Sequence, residues 1–307
     1  MEKEIIIFDT DMDTDCDDVG ALVMLLKYHK KGLIDLKGIV VDCPCVGGAP
    51  VCQILCDYYN VDVPIGAIYE RQYMDDRYDR YRKHRFTLPD EIYYNRTMLN
   101  MIDKRDEDFE PSYKVYRKVL SQCEDKSVTI LGVGFYTAIE ELFNSKADEY
   151  SELDGLTLFN NKVKRIVSMG KAETYTNNFN YNMDRIGAKV FMDKSECPIY
   201  FSPEGTEVIT GYDFADKLSE NNPLRIAYEI YNGGPNKGRM SWDLIAAYYA
   251  IGIDDSIFNI YSNGQVTYDT DENHTYWIKQ SIRKDYEITL NISYQEMAER
   301  LEKILTE

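Results

Sequence analysis

Positive charge is scarce in this chain of 307 residues: 35 Lys and Arg stand against 53 Asp and Glu, for a formal net charge of −18. That balance argues against a nucleic-acid partner unless basic residues gather on one face. The one basic cluster, residues 77–85, is interleaved with Asp75, Asp76 and Asp79, so its field is largely cancelled. Long apolar runs are also missing. The opening MEKEIIIFDTD carries four apolar residues before a carboxylate, too few for a signal-peptide core or a membrane span, and the expectation is a cytoplasmic protein with no membrane partner. Disulfide frameworks are disfavoured by an odd count of seven cysteines without an export signal. Cys43, Cys45, Cys52 and Cys56 lie close together, but their spacing matches no zinc knuckle and Pro44 imposes an extended geometry between the first two. No repeat and no low-complexity linker interrupts the chain, which favours one domain over residues 1–307.

What is present in excess is tyrosine, at 26 residues, which points to amphipathic surfaces or a stacking pocket. The order of segments reads as an α/β protein. Residues 4–8 form a β-branched strand, and Val19, Leu22, Val23, Leu25 and Leu26 give the next segment an apolar face at helical spacing. A strand at 36–41, a helix near 51–59 and a strand at 63–68 follow. Three such units in succession predict an open, mostly parallel, Rossmann-like sheet flanked by helices, because parallel neighbours need crossover connections.

Residues 69–110 break this rhythm with Tyr69, Tyr73, Tyr78, Tyr81, Tyr93 and Tyr94 among Arg, Asp and Lys, and read as an insertion or flap. The alternation resumes with a helix near 112–123, a strand at 128–131, a helix around 137–143, a strand at 163–169, a helix near 184–192 and a strand at 199–202. Further on, a helical stretch from about Pro223 and a Gly-rich segment, 233–238, precede a helix starting at Asp243. Strands at 258–261, 265–268 and 286–290 and an amphipathic helix at 293–305 complete the chain.

The densest chemical signal is the turn after the first strand. Asp9, Asp11, Asp13, Asp15, Asp17 and Asp18 fall within ten residues, at a strand end and a helix start. So many carboxylates repel one another unless a cation or a helix N-terminus compensates them, whereas a helix cap alone requires only one or two. Oxygen ligands at this density suit a hard cation, Ca²⁺ ahead of Mg²⁺. An EF-hand does not fit, since its sixth loop position is Thr14 here and its twelfth is Gly20. A haloacid-dehalogenase-type phosphatase, with Asp9 as nucleophile and Asp11 as its acid/base partner, is a weaker alternative because no convincing downstream G-D-x-x-x-D completes its metal site.

FDTDMDTDCDD resembles the signature of the inosine-uridine preferring nucleoside hydrolase family, a first-strand D-x-D followed by D-D at the helix start, in a longer bacterial variant with two extra residues before Asp17 and Asp18. Three further segments are similar to that family in the right order: TILGVGFYTAIEELF from Thr129, KRIVSMGKAETYTNNFNYNMDRIGAKVF from Lys164, and SWDLIAAYYAIG from Ser241. The resemblance spans residues 5–252. It implies a divergent member of the nucleoside hydrolase fold, with a cation held by Asp11, Asp18, Asp243 and the main-chain carbonyl of Val133. It further implies Asp11 as the base that takes a proton from the attacking water, Asp17 and Asn180 on ribose hydroxyls, and Met169 lining the sugar site.

Three positions depart from the family pattern. Asn178 stands where a glutamate usually meets the 5′-hydroxyl, Trp242 stands where many members place a histidine that assists the leaving base, and the second strand ends without the usual asparagine, in the neighbourhood of Asp42 and Cys45. An indole cannot protonate a purine at neutral pH but can stack on it. His84, in the Tyr-rich insertion, is the histidine placed to reach the site; His29 falls in a helix and His274 in a late loop. The implied activity is metal-dependent hydrolysis of the N-glycosidic bond of a ribonucleoside, one with a bulky or modified base, by a homodimer or homotetramer. A nucleoside- or ribose-binding protein that kept the fold and lost turnover is the alternative from another class.

Overall fold

The computed structural model describes residues 3–13, 15–69, 76–85, 92–174, 178–279 and 282–307. Its centre is a ten-stranded sheet built from β1 (Glu4–Thr10), β2 (Ile34–Val41), β3 (Ile65–Ala67), β4 (Glu110–Pro111), β5 (Val128–Gly132), β6 (Val163–Met169) and β7 (Ile199–Ser202), with β10 (Phe258–Asp269), β11 (His274–Ile278) and β12 (Asp285–Leu290). The short strands β8 (Ile209–Thr210) and β9 (Arg239–Met240) form a separate antiparallel pair. The order across the large sheet is β11-β10-β12-β7-β6-β5-β1-β2-β3-β4. Pairing is parallel from β12 to β4 and antiparallel only where β10 meets β11 and β12.

The unbroken apolar run of β1 follows from burial on both sides. Ile6 and Phe8 belong to one core cluster, with the helices Asp17–Lys30, Gly48–Tyr59 and Trp242–Ile251, while Ile7 belongs to a second, with the helices Ser112–Ser121, Thr137–Asn144 and Arg185–Lys194. A strand covered on both faces has no solvent side to alternate with, so it reads as continuous hydrophobicity rather than period two. The sheet turns its winding at β1: the chain runs outward through β2, β3 and β4 on one side, then restarts at β5 and proceeds through β6 and β7 on the other. In open α/β sheets such a switch point opens a crevice at the strands' carboxyl ends, and here the acidic turn occupies it.

Most predicted elements sit where the sequence places them, β6 and β7 with identical bounds. Three differ. The strands expected at 258–261 and 265–268 are the two ends of the continuous β10, with a register shift between Tyr261 and Gly264. His274 opens β11 instead of lying in a loop, and the helix Gly155–Lys162 was not expected. Of the insertion at 69–110, residues 70–75 (Tyr73 among them) and 86–91 lie outside the described residues. The rest holds the helices Asp79–Arg85 and Tyr94–Met98, which turn Tyr81, Tyr94 and Asn95 toward the acidic turn. Among the described residues no helix is long and apolar enough to cross a membrane.

Candidate functional site

The aspartates of the first turn divide into two groups according to what meets them. Asp9, at the end of β1, is fully buried and accepts a hydrogen bond from the hydroxyl of Tyr116. Burial, and next the charge of Asp42, push its carboxyl well above the ordinary range. Asp42 in turn accepts the backbone N–H of Tyr136 at 2.7 Å. Both residues are sealed beneath the site. A phosphatase nucleophile at Asp9 therefore has no path to a substrate, and Asp42 does not take the place of the asparagine absent from the second strand. Asp13 receives the hydroxyl of Tyr81 at 2.5 Å and faces Arg85 at 3.3 Å, while Asp15 holds Arg239.

Asp11, Asp17, Asp18 and Asp243 make up the second group, and all four line one cavity of about 550 Å³. Asp17 and Asp18 open the helix Asp17–Lys30, and Asp243 lies in the first turn of the helix Trp242–Ile251. Two helix N-termini thus point at the same carboxylates, and their dipoles offset part of the repulsion. Offsetting is incomplete. Burial and then the charge of Asp11 and Asp17 raise the Asp18 carboxyl well above its usual range, and burial followed by Asp17, Asp18 and Asp11 does the same to Asp243. Ligand oxygens of Asp17, Asp18 and Asp243 lie within 4.8 Å of one another. Asp18 accepts from the Thr10 hydroxyl, whereas Oδ1 of Asp243 is buried with no hydrogen-bond partner among the described residues.

An orphaned carboxylate oxygen beside two others is what a hard divalent cation would satisfy, so the residues present fit such an ion. The set within that distance contains Asp17, which the resemblance had assigned to a ribose hydroxyl. Val133, just past β5, turns its carbonyl toward the same cavity, where it accepts the side-chain amide of Asn180.

The remaining expected residues reach the cavity by different routes. Met169 lines it from the end of β6, half-buried. Asn178 lines it too, but its amide is engaged locally: Oδ1 accepts the N–H of Lys171 at 3.2 Å and Nδ2 donates to the carbonyl of Lys171 at 3.3 Å. Its polar groups tie it to the backbone of Lys171. His84 enters from the helix Asp79–Arg85 and packs edge-on against Phe179 at 4.8 Å. Burial and the neighbouring Arg85 lower its pKa from the ordinary value, which disfavours the imidazolium form. Trp242 is fixed by an indole N–H bond to Thr206 at 3.2 Å and by the close approach of Gly205, where an added Cβ would stand 2.4 Å from the Trp242 Cα.

The sequence did not reveal Arg239 or Tyr231, which also line the cavity. Nor does the abundance of tyrosine mean a stacking pocket. Tyr81, Tyr94, Tyr116, Tyr136 and Tyr181 are core residues, with hydroxyls on Asp13, the Asp15 carbonyl, Asp9, the Gly132 carbonyl and Ser168.

The fold is shared with solved structures. The purine-preferring ribonucleoside hydrolase from Gardnerella vaginalis superposes with a TM-score of 0.68 at 13% identity, over 99% of this chain and 98% of that one. The inosine-uridine preferring nucleoside hydrolase from Bacillus anthracis gives 0.64 at 17% identity, over 98% and 99%. The chain has the nucleoside hydrolase fold. That fold also carries the type III effector protein XopQ, solved in complex with adenosine diphosphate ribose, at a TM-score of 0.68 and 12% identity over 99% and 92%. By sequence, no family model and no curated protein matches the chain.

Proposed function

We propose that the chain is a metal-dependent N-glycosyl hydrolase that cleaves a ribonucleoside into base and ribose. The observation that carries this reading is the meeting of Asp11, Asp17, Asp18 and Asp243 at one cavity, with a buried oxygen of Asp243 left unsatisfied. Asp11, Asp18, Asp243 and the Val133 carbonyl would hold the ion, Ca²⁺ ahead of Mg²⁺, and the proximity of Asp17 admits it to the set. When bound, such an ion lowers the pKa of a coordinated water and orients vicinal hydroxyls.

The chain's own residues supply the rest. Asp11 takes the proton of the attacking water. The buried carboxylates favour the positive charge that develops on the sugar over the neutral substrate, which is a transition-state effect rather than a binding effect. Asn180 donates to a ribose hydroxyl from the amide that now meets Val133, Met169 packs on the sugar, and Trp242 offers a face to the base. A bulky or flat base suits this wall. The same reading takes residues 1–307 as one domain, with 69–110 as its flap, acting in the cytoplasm as a homo-oligomer.

A binding protein of the same fold is the second reading. It is favoured by the engagement of Asn178 with Lys171, by an indole in place of an imidazole at Trp242, and by the bound adenosine diphosphate ribose in XopQ. A panel of ribonucleosides assayed for free base, with and without chelator and with Asp11→Asn as control, separates the two. Chelator-sensitive ribose release lost in Asp11→Asn supports hydrolysis; a ligand-induced rise in melting temperature without ribose supports binding.

A further inference from the structure

Arg239 occupies an unusual position on the wall of the cavity. One edge of its guanidinium is committed: Nε lies 2.8 and 2.9 Å from the two carboxylate oxygens of Asp15, and Nη2 donates to the same carboxylate. Two aromatic rings lie near it, with Cζ 5.1 Å from the Tyr231 centroid and 5.5 Å from that of Trp242. Asp15 itself is steadied by its Oδ1 accepting the N–H of Cys16 at 2.6 Å, and Trp242 by Thr206. A guanidinium has five N–H donors. Those on Nη1 meet no acceptor among the described residues, and Arg239, Tyr231 and Trp242 all line the cavity beside Asp17 and Asp243. The result is a fixed cation on the wall of the cavity that Asp17 and Asp243 also line.

We propose that Arg239 is the residue that engages the departing base, and that it selects a base presenting two acceptors on one edge, as the oxygen and ring nitrogen of a 6-oxopurine do. This rests on the nucleoside-hydrolysis reading above. Arginine pairs with that edge through two parallel N–H bonds, whereas a 6-aminopurine turns a donor toward it. In the balanced step, the water oxygen bonds to the anomeric carbon and gives its proton to Asp11. The bond from that carbon to the base nitrogen breaks with its electron pair staying on the base, and the base anion takes a proton from solvent on release. Charge accumulating on the base strengthens its bonds to a cation that cannot deprotonate, so Arg239 acts without serving as an acid. Asp15 is a positioning residue, since it holds the guanidinium edge-on without meeting the base.

The test compares kcat/KM for inosine, adenosine and 4-nitrophenyl β-D-ribofuranoside, whose leaving group is already a stable anion without an oxo-aza edge. Wild type should prefer inosine to adenosine. Arg239→Met should lose about 100-fold on inosine, raising the ratio of nitrophenyl riboside to inosine kcat/KM by at least about 30-fold. Arg239→Lys, which keeps the charge and a bond to Asp15, should show a smaller rise in the same ratio. It also serves as the readable variant if the methionine protein does not fold. A ratio within about threefold of wild type in the variant read, or no preference for inosine, overturns the proposal. If wild type cleaves none of the three, the hydrolase reading fails, and titration with hypoxanthine decides the contact. Binding weakened about tenfold in Arg239→Lys supports it, and equal binding overturns it.

Discussion

The backbone N–H of Asp243 donates to Oδ2 of Asp17 at 3.1 Å, across 226 positions of sequence. The bond locks two helix N-termini together, so the late carboxylate arrives at the first turn with its side chain free to face the cavity. Its cost is a buried negative cluster whose members raise one another's pKa.

That cost should be visible without any substrate. In chelator, Asp243→Asn should melt several degrees above wild type, since it removes a buried carboxylate that burial and three or more like charges oppose. On adding Ca²⁺ the order should reverse. A ligand at about a hundred times its Kd stabilises wild type by roughly 2.7 kcal/mol, and the variant should gain little. Differential scanning calorimetry with and without Ca²⁺ reads both; a variant stabilised by the ion as strongly as wild type would count against the cation site.

Asp13 is held from the other direction, by Tyr81 and Arg85. Tyr81→Phe deletes a hydroxyl from a buried carboxylate and should cost about 1–3 kcal/mol in urea unfolding. Arg85→Met removes the cation that most lowers the pKa of that carboxylate, leaving the charge of Arg96, and should cost more, about 3–5 kcal/mol. Equal, negligible losses would mean that the turn does not depend on the helix Asp79–Arg85.

Burial and the charge of Arg85 lower the pKa of His84 from its ordinary value and so disfavour the imidazolium form. A neutral imidazole in contact with Phe179 is a poor proton donor. His84→Ala should therefore raise KM while changing kcat by less than about tenfold, below the usual worth of a general acid. A fall in kcat of about 1,000-fold, with loss of the acidic limb of the pH profile, would restore His84 as the leaving-group acid.

Away from the cavity, Asp106 accepts the N–H groups of Gly47 at 2.6 Å and Ala49 at 3.3 Å, yet burial outweighs these bonds and pushes its carboxyl up to about 6. The folded state then holds this proton more tightly than the unfolded chain, whose value is near 3.8. The corresponding stability is present below pH 3.8 and is lost as pH rises through about 6. Asp106→Asn should flatten that decline between pH 4 and 6, worth roughly 1–3 kcal/mol. Urea midpoints across the window check it, and an unchanged slope would contradict it.

The parallel sheet and the acidic crevice were legible because both leave one-dimensional traces. Strand and helix runs alternate along the chain, and six acids in one turn are more than a helix cap requires. Asp243 was legible through the resemblance of SWDLIAAYYAIG to a family segment that carries a carboxylate at a helix start. The partners of Asp13 and Asp15 were not, since Tyr81, Arg85 and Arg239 sit in stretches without periodicity and meet the turn only through tertiary packing. The Asn178 amide carries the same lesson: its residue type suggests a ligand contact, while its bonds to Lys171 depend on a loop that sequence spacing does not define.

The long first turn has a mechanical side. Asp13 is moored to the helix Asp79–Arg85 and Asp15 to β9, two segments that arrive from opposite directions and supply His84 and Arg239 to the cavity rim. Shortening this turn would slacken both moorings together. The width of the opening is thus set by the same stretch of chain that sets its charge, and neither can be altered alone.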